Sequence, residues 1–274
     1  MYEMKEKILR LGLLGKDLSL SQSEEVHTFI LQMFGYGCSY EKFSVGEEDF
    51  DNAMRALLGD FDGFNITAPY KREVMEYLDG MAGDALAYGA VNTVLTGERI
   101  GYNTDGVGFS LMLQEEGVCV NGKKALVLGG GGSGRSCAAV LKSLGAQVFM
   151  YQRNQHHLLE ATSQLGVTPV DNPEIGGFDI LVNTTGVGSG EEKGISPVTA
   201  KAFEGAAWAI DLLYAPKETE FMRLAKSQGV RAINGEAMLF YQGYYADCLY
   251  LGLPADERQA VAFYEEYKRG KEKL

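Results

Sequence analysis

Between Ala125 and Arg135 the chain reads Ala-Leu-Val-Leu-Gly-Gly-Gly-Gly-Ser-Gly-Arg, and no other stretch limits its possible fold so tightly. Four apolar residues stop at a run of glycines. The segment that follows sets Cys137, Val140, Leu141 and Leu144 at i, i+3, i+4 and i+7, the spacing of one buried helix face. The pattern predicts strand, tight turn and helix. Gly129, Gly131 and Gly134 fit G-x-G-x-x-G, with Gly130, Gly132, Ser133 and Arg135 completing the turn. Backbone without side chains lets a pyrophosphate reach N–H groups at the positive end of a helix dipole, so the reading is a dinucleotide site. Taken without their flanks, four consecutive glycines would also suit a flexible loop.

The next strand says which dinucleotide. Gln147 to Tyr151 has the composition of the second parallel strand of such a unit. At its end, about 20 residues past the glycines, an NAD site places an Asp or Glu on the ribose 2′-hydroxyl. This chain has Gln152, Arg153 and Asn154 there. A guanidinium offers planar paired donors that match phosphate oxygens, so Arg153 favours the 2′-phosphate of NADP over NAD. The alternative is an ordinary solvated arginine.

Length and charge bound the rest. A chain of 274 residues with 46% apolar content exceeds the usual single core and suits two domains. A net charge of −12 argues against nucleic acid or an anionic membrane as a partner, so an anionic ligand needs local Arg, Lys and backbone donors. Cys38, Cys119, Cys137 and Cys248 show no C-x-x-C spacing and the three histidines no H-x-x-x-H, so no metal site is expected and reduced cysteines in a cytoplasm fit best. The opening Met-Tyr-Glu-Met-Lys-Glu-Lys alternates charges, with neither a signal peptide nor a membrane span after it.

The first half also alternates strand and helix patterns. Ile8 to Leu14 is an apolar run ending at Gly15, followed by a polar loop and a helical pattern carrying Val26, Phe29, Ile30 and Met33. Ser21 and Glu24 form S-x-x-E, which reads as a helix cap; the other reading is that Ser21 and Ser23 face a ligand. Strand-like 39–45, a helix over about 47–58 and strand-like 61–67 follow. Asn65-Ile-Thr-Ala-Pro-Tyr-Lys71 then ends a strand at a proline and puts Lys71 at the start of the next predicted helix, where the dipole disfavours a cation. Such placement suggests use, against the plainer reading of a surface lysine. Two short apolar pieces close in Asn92-Thr93 and Asn103-Thr104-Asp105, where Thr104 or Asp105 could cap the helix carrying Val107, Leu111 and Leu113.

Together these blocks resemble the shikimate dehydrogenase family. They are Ser21-Gln22-Ser23 with His27, Asn65 to Lys71, Gly89-Ala-Val-Asn-Thr93, Asn103-Thr-Asp105, the glycine turn, Asn183-Thr-Thr185, Asp211 with Tyr214-Ala-Pro216, and Asn234-Gly-Glu-Ala-Met-Leu239 leading to Gln242. The resemblance implies that Ser21 and Ser23 bind the shikimate carboxylate, that Thr67, Asn92 and Gln242 hold ring hydroxyls, and that Lys71 and Asp105 form the catalytic pair. Gly129 to Arg135 and Gln152 to Asn154 would hold NADP. Thr185, Tyr214, Gly235 and Met238 would lie near the nicotinamide, with Tyr214 also counted among the substrate-binding residues. The chain departs from the family where Asp17, Leu18, Leu20 and Glu24 replace its usual Pro, Ile, His and Pro around the serines. It departs again where Gln152-Arg153-Asn154 replaces Asn-Arg-Thr, and where Asn183-Thr184-Thr185 replaces Asn-Ala-Thr, a change the backbone is expected to absorb.

The later patterns give strands over 179–182, 208–213 and 230–234, a helix over about 219–228 and an aromatic helix over 237–251 whose Phe240, Tyr241, Tyr244 and Tyr245 read as packing rather than stacking. The expected fold is two-domain α/β. A discontinuous substrate domain takes 1–104 and 239–274, and a Rossmann-type, doubly wound parallel-sheet NADP domain takes 105–238. By the resemblance the active site is the cleft between them. The implied activity is reversible, NADPH-dependent reduction of 3-dehydroshikimate to shikimate in aromatic amino acid biosynthesis, by a monomer or homodimer. A quinate or dual-specificity dehydrogenase, or a non-catalytic NADP- or shikimate-binding module, is the alternative.

Overall fold

The computed structural model describes residues 8–272, so the opening segment read for a leader lies outside the described residues. In chain order the elements are β1 (Ile8–Gly15), α1 (Ser23–Met33), β2 (Gly37–Ser44), α2 (Phe50–Asp60), β3 (Gly63–Ile66), β4 (Gly80–Met81), α3 (Asp84–Tyr88), β5 (Thr93–Leu95), β6 (Ile100–Tyr102) and α4 (Asp105–Glu115). The chain continues as β7 (Lys124–Leu128), α5 (Gly132–Ser143), β8 (Gln147–Tyr151), α6 (Gln155–Leu165), β9 (Thr168–Pro169), β10 (Ile180–Asn183), β11 (Trp208–Asp211), α7 (Glu220–Ser227), β12 (Arg231–Ile233), α8 (Glu236–Leu251) and α9 (Glu257–Lys271). Two compact units result. One takes the described residues up to Gly108 and those from Leu239 onward, and the other is the continuous stretch Phe109–Met238.

The first unit is built on a six-stranded sheet ordered β2-β1-β3-β5-β6-β4. β1 pairs in parallel with β2 and β3, whereas β5 runs antiparallel to both β3 and β6. β1 shows why it is central. Leu9, Leu11 and Leu13 join a buried cluster with Leu31 of α1 and Leu251 of α8, while Leu14 faces the cluster containing Met54 and Leu57 of α2. Successive side chains of a strand point to opposite faces, so an apolar run this dense needs helices on both. Gly12 is the close point on the α2 face, where a Cβ would lie 2.7 Å from Leu57 Cδ2. Each buried leucine contributes roughly 1.5–3 kcal/mol relative to exposure.

The second unit has six parallel strands in the order β12-β11-β10-β7-β8-β9. Numbered within the unit this is 3-2-1-4-5-6 read from the β9 edge, the doubly wound order whose switch point falls between β7 and β10. Leu126, Leu128, Leu181 and Ala209 pack with Phe178, Phe203 and Phe221 in its core. The units divide at Gly108, whereas the sequence expectation drew that boundary at 104.

Candidate active site and cofactor turn

In the first unit the topology gathers chemistry at one end of the sheet. β1 and β3 are parallel, so the loop carrying Ser21 and the turn carrying Thr67 and Lys71 leave the same edge. β5 is antiparallel to β3, which brings its start, beside Asn92, to that edge. β6 is antiparallel to β5, which brings its end, before Thr104 and Asp105, there too. Registers of Asn65 against Thr93 and Thr93 against Tyr102 fix the alignment.

The Lys71 ammonium donates to Asp105 Oδ2 at 2.5 Å, with both residues buried. Two charges removed from water need further hydrogen bonds to offset desolvation. Asn92 supplies one, its Nδ2 donating to Asp105 Oδ1 at 2.8 Å, and the same amide meets Gln242 Oε1 of α8 at 3.2 Å. Gln242 Nε2 is held by Leu239 O at 2.8 Å. Lys71, Asp105, Asn92 and Gln242 are thus one cluster. Lys71 does not open an α-helix as its position in the sequence suggested. After the cis Ala68–Pro69 peptide the chain makes a turn, and only a five-residue 3-10 helix, Glu73–Tyr77, follows. The dipole argument therefore does not apply, and the ion pair accounts for the lysine.

Ser21 and Ser23 stand at the amino end of α1, but not as the predicted capping box. The Ncap is Gln22, without a side-chain cap, and Ser21 Oγ accepts from Ser23 N at 3.3 Å and donates to Ser23 Oγ at 3.2 Å. Two neighbouring hydroxyls at a helix amino end form a donor pair suited to an anion. Thr67 packs where Gly15 ends β1, a site at which a Cβ would fall 2.5 Å from Thr67 Cγ2. His27, one turn beyond Ser23, pairs through Nδ1 with Asp247 Oδ1 of α8 at 2.7 Å, with both side chains fully buried. Burial pushes the Asp247 carboxyl up to about 6 against the attraction of His27, and pushes the Cys38 and Cys248 thiols up to about 12 and 11. Neither of those cysteines supplies a thiolate near neutrality.

In the second unit the glycine turn joins β7 to α5. Gly129 has φ +109°, and a Cβ at Gly134 would lie 2.1 Å from Gly129 O, so both positions require glycine. Gly131 is the Ncap of α5 and has no side-chain cap, there is no acidic residue in the first turn, and a Cβ built on Gly131 meets nothing within 4 Å. This is a cradle of backbone donors with open space before it, and it fits a pyrophosphate. Gln152 Oε1 accepts from Gly130 N at 3.4 Å. Arg153 follows β8, exposed and without an ion pair among the described residues, so its guanidinium is available to an anion.

Two of the expected cofactor residues have other engagements. Arg135 is 1% exposed and turned inward, donating to Gly130 O, to Gln164 Oε1 at 2.5 Å and towards Glu160 of α6 at 3.5 Å. Asn154 caps α6 by accepting from His157 N. Thr184, where the family has Ala, is more than absorbed: its hydroxyl donates to Leu128 O at 2.8 Å and reaches Gly129 O at 3.3 Å, closing the back of the turn.

Thr185 follows β10, Tyr214 follows β11, and Gly235 and Met238 follow β12, all at carboxyl ends of parallel strands. Asp211 orders them. It is fully buried, and it accepts from Asn183 Nδ2 at 3.1 Å, Leu213 N at 3.1 Å and Thr219 Oγ1 at 2.6 Å. Burial pushes its carboxyl up to about 6 despite those donors. Asn183 in turn accepts from Thr185 N and Oγ1. Gly235 is pressed onto the same loop, where a Cβ would stand 2.0 Å from Leu212 O. Sequence reasoning quoted Asn65, Thr93 and Asp211 within motifs without giving them roles. Their signal was a polar residue set in an apolar run, inside β3 for Asn65, at the start of β5 for Thr93 and at the end of β11 for Asp211.

Among the described residues, no group of three or more His, Cys, Asp or Glu could hold a metal ion, and no helix is long and apolar enough to cross a membrane.

The shikimate dehydrogenase substrate binding domain matches residues 13–94. The shikimate dehydrogenase (NADP(+)) of Thermus thermophilus is 36% identical over 251 residues, covering 91% of this chain and 95% of that protein. That of Caldanaerobacter subterraneus is 35% identical over 255 residues, covering 88% and 91%. Two solved structures superpose closely. The Thermus thermophilus enzyme in complex with NADP(H) and shikimate gives a TM-score of 0.82 at 34% identity, covering 94% of this chain and 99% of that one. Shikimate dehydrogenase 1 from Peptoclostridium difficile gives 0.88 at 30%, covering 95% and 98%. With such identity over most of the chain, and the substrate-domain match running from β1 to β5, the chain belongs to the shikimate dehydrogenase family.

Proposed function

We propose that the chain interconverts 3-dehydroshikimate and shikimate with NADPH and NADP+, and that Lys71 and Asp105 are its catalytic pair. The observation that carries the reading is the buried Lys71–Asp105 pair braced by Asn92 and Gln242, in a chain whose other unit holds an uncapped glycine turn followed by Arg153. When bound, NADPH supplies the hydride. Everything else falls to side chains. Lys71 Nζ is the cation beside the oxygen that gains charge as the ketone is reduced. It gives that oxygen a proton, and the resulting amine is reprotonated from solvent. Asp105 Oδ2 aims the ammonium, and Asn92 Nδ2 keeps Asp105 aimed. Asn92, Gln242 and Thr67 bind ring hydroxyls, while the Ser21 and Ser23 hydroxyls donate to the carboxylate. Arg153 takes the 2′-phosphate, and Gly129 to Gly134 take the pyrophosphate through backbone N–H groups. The relatives named for shikimate and NADP(+), and the Thermus thermophilus structure containing both, support the assignment.

The test is a spectrophotometric assay of shikimate and quinate, each with NADP+ and with NAD+. Shikimate with NADP+ is expected to give the highest kcat/KM. Faster turnover of quinate would move the chain to a quinate-type dehydrogenase, and no turnover of either acid would remove the enzymatic reading.

A further inference from the structure

We propose that Thr93 is a positioning residue for the reaction, its hydroxyl aiming the Asn92 amide at Asp105. The proposal rests on the reading of Lys71 and Asp105 as the catalytic pair.

The geometry is a chain of hydrogen bonds that runs from Tyr40 through Asn65, Thr93 and Asn92 to Asp105. Tyr40, of β2, donates its hydroxyl to Asn65 Oδ1 at 3.1 Å, which leaves Asn65 Nδ2 facing β5. That amide can only donate, and it donates to Thr93 Oγ1 at 3.2 Å. With its oxygen already accepting, the Thr93 hydroxyl sends its single proton to Asn92 Oδ1 at 2.9 Å. The backbone N–H of Thr104 donates to the same oxygen at 2.8 Å. The carbonyl end of the Asn92 side chain is therefore held from behind by these two donors, with the Thr104 hydroxyl a longer third at 3.3 Å, and its Nδ2 projects to Asp105 Oδ1 at 2.8 Å and to Thr104 Oγ1 at 3.0 Å. Asp105 Oδ2 is left for Lys71.

Thr93 is 0% exposed, and Asn65 and Asn92 are 4% and 2% exposed, so water is not available to replace a lost partner. A buried network of this kind transmits the loss of one member to the next, because each unmet group must turn to find another partner. Thr93 reaches the reacting end through its neighbours, Asn92 at 2.9 Å and more distantly the Thr104 hydroxyl at 3.5 Å, so its contribution is to aim and not to react.

The experiment compares Thr93→Val with Thr93→Ser in the full-length protein, reading kcat and KM for shikimate at saturating NADP+, KM for NADP+, and the melting temperature. Valine keeps the shape and removes the hydroxyl, while serine keeps the hydroxyl. In Thr93→Val, kcat is expected to fall about 5- to 30-fold, the effect of one or two kcal/mol. KM for NADP+ should stay within about twofold of the parent, since the cofactor residues lie on other strands. Thr93→Ser should recover most of kcat. Should Thr93→Val fail to melt cooperatively, Thr93→Ala is compared with Thr93→Ser in the same way. A normal kcat with only a lowered melting temperature would make Thr93 purely structural, and equal loss in the serine variant would show that the hydroxyl is not what matters; either result overturns the proposal. Lys71→Ala measured alongside separates the two levels. If it retains activity, the catalytic assignment fails. If it is inactive while Thr93→Val is unaffected, only the positioning role fails.

Discussion

Replacing Asp211 by Asn should change the pH dependence of stability in a calculable way. Asp211 is fully buried at the end of β11, with its carboxyl pushed from 3.8 up to about 6 because burial disfavours the charge more than its three donors favour it. A group whose folded pKa is raised contributes stability that is complete below its unfolded pKa and is lost as pH rises through the folded one. The window therefore runs from about 4 to about 6. The difference amounts to roughly 3 kcal/mol, at 1.36 kcal/mol for each pKa unit. Asparagine does not titrate. Its Oδ1 can still accept from Asn183 Nδ2 and Leu213 N, while the Thr219 hydroxyl must rotate to accept from Nδ2, a pH-independent cost of about 1 kcal/mol. The variant should be less stable than the parent at pH 4, gain on it by an amount approaching 3 kcal/mol as pH rises, and hold a constant difference above about pH 7. The assay is urea unfolding followed by the fluorescence of Trp208, the single tryptophan, which lies on β11 itself. A difference between variant and parent that is flat with pH, or that favours the parent as pH rises, would refute the argument that burial dominates at Asp211.

Lys71→Ala should lower kcat by at least about a hundredfold and leave KM for shikimate nearly unchanged, because the cation is needed most where charge develops. Steady-state kinetics of Lys71→Ala, Asp105→Asn and the double variant should show the last far less impaired than the product of the single losses, since the pair acts as a unit. For Arg153→Ala, titration should find NADP+ binding weakened by about 1.5–3 kcal/mol and NAD+ almost untouched; equal losses would end its assignment to the 2′-phosphate. Ser23→Ala should raise KM for shikimate with little change in melting temperature, because α1 has no side-chain cap to lose. A large drop in stability with normal KM would return Ser23 to a structural role.

The cofactor unit was the more legible half because its signals are local. An apolar strand, glycines that need bare backbone and a periodic helix lie within twenty residues, and parallel winding follows from strand–helix alternation. The first unit was legible only in outline. β4, β5 and β6 are two or three residues long, too short for periodicity, and their antiparallel pairing brings Asn92 and Asp105 to the edge that holds Lys71. The S-x-x-E pattern failed at Ser21 because that hydroxyl turns to the Ser23 amide two residues away. Arg135 read as a phosphate ligand from its place in the turn, but the periodicity of α5 carries its guanidinium inward to α6. Thr93 and Thr104 as partners of Asn92 follow from strand register, which composition does not reveal.

The discontinuity of the first unit sets the order in which the ribosome can finish the two halves. Asn92 meets Gln242 across 150 positions, His27 meets Asp247 across 220 and Glu25 meets Tyr267 across 242. Everything from β7 to β12 emerges between those partners and forms its sheet from its own residues. During synthesis the dinucleotide half therefore closes as a unit while the other half still exposes the faces of β1 and α1 that α8 and α9 will cover. α8, translated after the dinucleotide half, is the helix that completes the buried Lys71 cluster, and until it docks, Asn92 lacks Gln242 and His27 is a buried-type residue without its carboxylate. A nascent chain halted within α8 just after Met238 carries the whole second unit but lacks Gln242, and is expected to bind cofactor without binding substrate.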